Sequence, residues 1–123
     1  MDSLFGGKRI LVVEDESVVA MMLTDSLEEL GFDPIEVVGS CRAAVASATT
    51  QTPDVALLDL RVLDGDTTSV AELLRDRNIP FVFMSGDPNG AARLGFVGAA
   101  VLGKPFSPAD LQGALRQALG LPV

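Results

Sequence analysis

Short apolar runs alternate with segments of helical periodicity five times along the 123 residues of this chain. The runs are apolar throughout rather than at every second position, which is typical of strands buried on both faces of a parallel sheet. In the segments between them, apolar residues recur every three or four positions, as on one face of a helix. The sequence therefore predicts a doubly wound α/β domain, with helices covering both faces of the sheet.

The element boundaries follow from this periodicity and from the positions of glycine and proline. We predict strands over residues 8–13, 34–39, 55–58, 81–84 and 99–102. We predict helices over residues 16–30, 42–50, 68–77 and 88–94, and a last helix that Ser107 caps and Pro108 begins. Gly31 ends the first helix, within which Met21 and Met22 are predicted to lie in the core. Residues 64–67, Asp-Gly-Asp-Thr, are predicted to form a turn.

Composition limits the functions that are open to this chain. A formal net charge of −8 argues against binding to nucleic acid or to a membrane surface, since both need basic patches. The absence of histidine excludes histidine-based catalysis and any phosphoryl group carried on a histidine of this chain. No apolar run is long enough to span a bilayer, and the single cysteine, Cys41, suits a reducing compartment. We therefore expect one cytoplasmic domain over residues 1–123, with no output domain in this chain.

Polar side chains follow four of the five predicted strands at their carboxyl ends. Glu14 and Asp15 follow the first strand, Asp59 the third, Ser85 the fourth and Lys104 the fifth. The carboxyl ends of parallel strands meet at one edge of the sheet, so we expect all five side chains in one cleft. Each of them alone could be an ordinary solvated strand end, and only their joint placement favours a site.

The three carboxylates and the lysine fit together chemically. Carboxylates that share a pocket raise one another's pKa values unless a cation joins them, and Mg²⁺ prefers such oxygen ligands; Mn²⁺ could replace it. Asp59 is then a candidate nucleophile toward a phosphoryl group. Lys104 would supply a point charge for a phosphate oxygen, and the Ser85 hydroxyl would donate a hydrogen bond to another.

Four motifs resemble those of the receiver domain of two-component response regulators: I-L-V-V-E-D-E, L-L-D-L, M-S-G and G-K-P-F. The resemblance covers essentially the whole chain. It implies a flavodoxin-like five-stranded parallel sheet, in the order 2-1-3-4-5, flanked by five helices. It also implies that Asp59 is the phosphoacceptor and that the metal ligands are Glu14, Asp15, Asp59 and the backbone carbonyl of Arg61. A cis peptide bond between Lys104 and Pro105 is expected on the same ground.

The function that the resemblance implies is signalling rather than enzymatic turnover. A histidine kinase or a histidine phosphotransfer protein would donate the phosphoryl group to Asp59. The domain would catalyse part of this transfer itself and later hydrolyse the aspartyl phosphate. It would signal by protein contacts or act as a phosphate sink. Two alternatives compete with this hypothesis: a receiver fold used only for docking, without phosphorylation, and a flavin-binding protein, whose phosphate Glu14, Asp15 and Glu16 would repel.

A narrower likeness concerns the output of the domain. The stretches I-P-F-V-F-M-S-G and D-L-R-V-L-D-G-D resemble those of the FATGUY group of receivers, which are often stand-alone proteins. Many receivers carry an aromatic switch residue where this chain has Val101, and valine cannot signal by ring rotation. We therefore expect an order–disorder or population shift in the segment from Gly86 to Gly98. A downstream protein would contact this segment, the fifth strand and the helix face from Leu111 to Leu119.

Overall fold

The protein is described from a computed structural model, which covers residues 5–122. Five strands form one parallel sheet, namely β1 (Ile10–Val13), β2 (Ile35–Val38), β3 (Val55–Asp59), β6 (Phe81–Ser85) and β7 (Val101–Gly103). Two strands of two residues each, β4 (Arg61–Val62) and β5 (Gly65–Asp66), form a separate antiparallel hairpin directly after β3. The order in the large sheet is β2-β1-β3-β6-β7. Without the hairpin this is the order 2-1-3-4-5, so the predicted flavodoxin-like fold is confirmed.

Five helices flank the sheet, as predicted: α1 (Ser17–Leu30), α2 (Cys41–Thr50), α3 (Thr68–Asp76), α4 (Gly90–Arg93) and α5 (Pro108–Ala118). Most boundaries lie within one or two residues of the predicted ones. The exception is α4, which has four residues rather than the predicted seven. Gly95 takes the left-handed conformation with a φ of 97° two residues after Arg93, so the chain leaves the helical path there.

Alternate residues of each strand pack against opposite helix layers. In β1, Ile10 and Val12 face α1 and α5, whereas Leu11 and Val13 face α2 and α3. All four side chains are buried. This two-sided burial explains why the central strands β1, β3 and β6 are apolar at nearly every position. Because all five strands run parallel, their carboxyl ends lie at one edge of the sheet, where the polar residues are.

The prediction for Met21 and Met22 was wrong, because each side chain is 66% exposed. Leu23 and Leu27 face the sheet and are buried. Successive helix positions are rotated by about 100°, so residues one and two positions before Leu23 turn toward solvent. The register of α1 is set by its leucines and leaves the methionine pair on the outer surface.

Two local predictions at the start of α5 are confirmed. Ser107 caps the helix and exchanges hydrogen bonds with Asp110 in a capping box, with Pro108 in the first turn. The Lys104–Pro105 peptide bond is cis. A second cis bond, between Asp33 and Pro34, was not predicted. Over residues 5–122, no helix combines the length and the apolar character that crossing a membrane would require.

Candidate functional site

Glu14 and Asp15 follow β1 and differ sharply in their surroundings. Glu14 is 3% exposed, whereas Asp15 is exposed to solvent. Both carboxylate oxygens of Glu14 have partners: Oε2 accepts the backbone N–H of Glu16 at 3.2 Å, and Oε1 lies 3.1 Å from Nζ of Lys104. Glu14 is therefore anchored inside the fold, and Asp15 presents the accessible carboxylate of the pair.

Asp59 is the last residue of β3, and its side chain is 14% exposed. Its Oδ2 lies 3.3 Å from Nζ of Lys104, so the lysine contacts Glu14 and Asp59 at once. The hydroxyl of the buried Thr67 donates to the backbone carbonyl of Asp59 at 2.8 Å. The backbone that carries the Asp59 carboxylate is thus held from the hairpin side as well as by the sheet.

The three predicted metal-binding carboxylates lie together. One oxygen each from Glu14, Asp15 and Asp59 can be chosen so that all three lie within 4.8 Å of one another. Hard oxygen donors at this spacing fit a small divalent cation such as Mg²⁺. Arg61, whose backbone carbonyl is the fourth predicted ligand, begins β4 two residues after Asp59.

Ser85 and Lys104 complete the cleft on the other side. The cleft has a volume of about 370 Å³, and its walls include Asp59, Arg61, Ser85 and Lys104. The hydroxyl oxygen of Ser85 accepts the backbone N–H of Asp87 at 3.0 Å, which leaves its proton to be donated elsewhere. The backbone N–H of Lys104 donates to the carbonyl of Ser85 at 2.8 Å, so the two residues are held side by side.

The electrostatics of the cleft follow from this packing. Burial raises the pKa of Asp59 to about 6, and the neighbouring Glu14 carboxylate adds to the effect while Lys104 opposes it. Burial alone would lower the pKa of Lys104, but the hydrogen bond to Glu14 and the charge of Asp59 raise it overall. Lys104 therefore stays charged, and it offsets only part of the repulsion between the acids.

Sequence reasoning missed two residues of this region, Asp64 and Thr67. It predicted the stretch that contains them as a plain turn, whereas the structure has a hairpin whose base is closed by Thr67. Asp64 accepts two backbone N–H groups of α2. Asp64-Gly65 signals a turn, but no local signal identifies a partner that lies 22 or 23 positions earlier in the chain.

The chain is similar to known proteins over most of its length. The family described as the response regulator receiver domain matches residues 10–116. The chain is 31% identical over 118 residues to the phyllosphere-induced regulator PhyR of Methylorubrum extorquens, which covers 89% of this chain and 43% of PhyR. The chain thus spans about half the length of the curated relatives it matches.

Two solved structures show the extent of the structural likeness. The receiver domain of the sensor histidine kinase PA1611 from Pseudomonas aeruginosa PAO1 has a TM-score of 0.82 at 30% identity, over 94% of this chain and 99% of that one. That structure holds a magnesium ion in its active-site cleft. A putative response regulator from Chloroflexus aurantiacus has a TM-score of 0.83 at 23% identity, over 93% and 98% of the two chains, and shows the shared fold.

Proposed function

This chain belongs to the response regulator receiver domain family, and we propose that it is a signalling module controlled by phosphorylation of Asp59. The observation that carries the proposal is the position of Lys104, whose ammonium group lies within 3.3 Å of an Asp59 oxygen and 3.1 Å of a Glu14 oxygen. A cation held against a partly buried carboxylate is suited to bind the oxygens of a phosphoryl group placed on that carboxylate.

The carboxylates of the site fit a divalent cation, and we propose that the protein binds one there. Glu14, Asp15, Asp59 and the backbone carbonyl of Arg61 would hold Mg²⁺, with Mn²⁺ as a substitute. When bound, the ion would supply positive charge that offsets the charge on the transferring phosphoryl oxygens. The magnesium ion in the cleft of the PA1611 receiver domain supports this part of the proposal.

The residues of the chain account for the remaining steps. A carboxylate oxygen of Asp59 attacks phosphorus, the bond from phosphorus to the donor histidine nitrogen breaks, and the histidine leaves with the electron pair. The Lys104 ammonium group then exchanges its contact with the Asp59 carboxylate for a contact with a phosphoryl oxygen. The Ser85 hydroxyl donates a hydrogen bond to another phosphoryl oxygen. In the later hydrolysis, a water oxygen attacks phosphorus, the bond from phosphorus to the Asp59 oxygen breaks, and inorganic phosphate leaves while the carboxylate is restored.

A donor histidine must lie outside the 123 residues of this sequence, because they contain no histidine. We propose a histidine kinase or a histidine phosphotransfer protein, which would approach Asp59 through the open cleft. We further propose a cytoplasmic location, where the free thiol of Cys41 would stay reduced. The output would be contact with a downstream protein, or the module would act as a phosphate sink.

The proposed output surface lies next to the site. It comprises the segment from Gly86 to Gly98, β7 and the exposed side of α5. The prediction that the α5 face from Leu111 to Leu119 would contact a partner was wrong for Leu111 and Leu115, because both side chains are buried in the core. Ser85 connects this surface to the cleft in two ways: its hydroxyl accepts the N–H of Asp87, and its carbonyl accepts the N–H of Lys104. A shift of Ser85 toward a phosphoryl group would therefore pull on the start of that segment.

The experiment that tests the proposal is labelling by a small phosphodonor such as acetyl phosphate, followed by mass measurement of the intact protein. We expect the gain of one phosphoryl group with Mg²⁺, no gain with a chelator, and no gain in Asp59→Asn. Asp54→Asn is the matched control, since Asp54 lies at the other end of β3. Failure of the unaltered protein to gain a phosphoryl group from this donor and from a panel of kinases would refute the proposal.

A docking module that works without phosphorylation is a second candidate, and Val101 favours it. Val101 lies in β7 opposite Phe83 and is half-buried, where an aromatic switch would otherwise lie. The two candidates differ in one measurable respect. A docking module would bind its partner equally well before and after phosphorylation or addition of beryllofluoride.

A further inference from the structure

Asp64, in the turn of the β4–β5 hairpin, caps the beginning of helix α2. Its Oδ1 accepts the backbone N–H of Cys41 at 2.7 Å, and its Oδ2 accepts that of Arg42 at 3.2 Å. The Ser40 hydroxyl accepts the next N–H, that of Ala43, at 3.1 Å. The first three N–H groups of α2 are thus all bonded to side chains, and Asp64 supplies two of these caps from a distant part of the chain.

The hairpin that carries Asp64 is also fixed at its base. The Thr67 hydroxyl donates to the carbonyl of Asp59 at 2.8 Å, and the Thr67 N–H donates to that of Leu60 at 3.0 Å. The Cys41 thiol adds a second link to α2 by donating to the carbonyl of Asp66 at 3.3 Å. Arg61 pairs with Asp66 across the hairpin, so its backbone belongs to this braced unit.

The other end of the connection reaches Asp15. The chain enters α2 through Gly39, where an added Cβ would lie 3.8 Å from Cα of Asp15 and 3.9 Å from the carbonyl oxygen of Glu14. The loop before α2 therefore lies against the backbone of the first two acids. The hydrogen bonds from Asp64 to α2 connect the helix that follows this loop to the hairpin that contains Arg61.

We propose that Asp64 is a positioning residue for the metal site, because its two bonds to α2 set the spacing between Asp15 on one side and Asp59 with the Arg61 carbonyl on the other. This inference rests on the proposed function, since it requires that the carboxylates bind a divalent cation. Asp64 is exposed and faces α2, so it acts through these bonds and is not itself a ligand.

The test is a titration with Mg²⁺, followed by amide chemical shifts of the metal-free and metal-bound protein. Asp64→Ala removes both bonds and should weaken Mg²⁺ binding on the order of tenfold, the size usual for residues that orient metal ligands. Asp64→Asn keeps an acceptor oxygen and should bind Mg²⁺ several-fold more tightly than Asp64→Ala. The amides of Cys41 and Arg42 should exchange faster in metal-free Asp64→Ala than in the unaltered protein.

Asp54→Ala is the matched control. Asp54 also accepts a distant backbone N–H, that of Arg9 at 2.8 Å, but it lies at the opposite end of β3. Like Asp64→Ala, the Asp54→Ala variant loses one negative charge and a hydrogen bond to a distant backbone N–H. Its affinity for Mg²⁺ should equal that of the unaltered protein.

The outcomes separate the two proposals. If the unaltered protein does not bind Mg²⁺, both the metal part of the proposed function and the role of Asp64 are overturned. If it does bind, and Asp64→Ala behaves like Asp54→Ala, only the role of Asp64 is overturned. Equal weakening in Asp64→Ala and Asp64→Asn would show that charge rather than geometry matters, and would also overturn it. Should Asp64→Ala not fold, the comparison of Asp64→Asn with the unaltered protein decides.

Discussion

Lys104 and Glu14 form an ion pair with 3.1 Å between Nζ and Oε1, although they lie 90 positions apart in the chain. The Glu14 side chain is fully buried, and that of Lys104 is 25% exposed. Burial removes the Glu14 carboxylate from water, and its partners inside the fold are the Lys104 ammonium group and the Glu16 N–H. The pair therefore bears on stability as well as on the proposed chemistry.

Lys104→Met should destabilise the fold by about 1–3 kcal/mol at pH 7, because it leaves a buried carboxylate without its cation. The free energy of unfolding in urea measures this. Lys8→Met is the control, since Lys8 is the only other lysine in the sequence and lies at the opposite end of β1. Equal stability of the two variants would mean that Glu14 needs no counter-charge.

Asp59→Asn should change how stability depends on pH. The pKa of Asp59 is raised from 3.8 to about 6, so the native state holds this proton more tightly than the unfolded chain does. The resulting stabilisation is complete below about pH 4 and is lost as pH rises through about 6. Asn cannot ionise, so Asp59→Asn should be more stable than the unaltered protein at pH 7, on the order of 1 kcal/mol given the partial exposure.

Urea unfolding of both proteins at several values between pH 4 and pH 7 measures this difference. The advantage of Asp59→Asn should grow across that window and shrink again when millimolar Mg²⁺ is added. A difference that does not vary with pH would mean that the Asp59 carboxyl titrates in the native state as it does in water.

Lys104→Arg should keep the positive charge but slow the phosphorylation of Asp59. The guanidinium group is planar and spreads its charge, so it cannot replace a compact ammonium in contact with both Glu14 and Asp59. The rate of labelling by acetyl phosphate measures the effect, and urea unfolding checks that the fold is retained. A labelling rate equal to that of the unaltered protein would show that only net charge matters.

Gly90→Ala should destabilise the protein by about 1–3 kcal/mol, because a Cβ there would lie 2.6 Å from Cδ2 of Leu60. Leu60 follows Asp59 directly and is buried, so its side chain would have to turn away from the new Cβ within packed surroundings. Gly113→Ala is the matched control. A Cβ at Gly113 meets no atom within 4 Å, so this change inside α5 should stabilise by about 0.5–1 kcal/mol.

The backbone of the segment from Gly86 to Gly98 should be mobile without phosphate and should become less mobile with Mg²⁺ and beryllofluoride. Its only helix is α4, with four residues, and Gly95 and Gly98 both have positive φ. Hydrogen exchange or relaxation dispersion measures this, with the β3 amides as a rigid reference. If the segment is equally protected in both states, the signal leaves by another surface, and the hairpin beside Asp59 is the next candidate.

The fold was predictable because its signals are local. Periodicity and glycine or proline positions mark each strand and helix, and the strand ends bring Glu14, Asp15, Asp59, Ser85 and Lys104 together. The errors concern orientation and distance. Met21 and Met22 are apolar but lie on the outer side of α1, because the leucines of that helix decide its rotation.

The details of the site depended on contacts that no local pattern reveals. Nothing in the sequence indicates that Glu14 would be buried and bonded to Lys104 while Asp15 stays exposed. The bonds from Asp64 to α2 likewise join segments whose proximity follows only from the assembled sheet. Residue types at strand ends can thus be predicted, whereas their hydrogen-bond partners require the tertiary structure.

The position of β7 at the edge of the sheet has a consequence for the newly made chain. A ribosome that has translated as far as Gly98 has already produced Glu14, Asp15 and Asp59, but not Lys104. Such a nascent chain contains the three acidic residues without the lysine that contacts two of them. It also lacks the edge strand β7, so both the sheet and the cleft are incomplete. A fragment that ends there keeps a carboxylate that the finished fold buries but lacks the cation beside it, so the cleft can form only after the last part of the chain has been made.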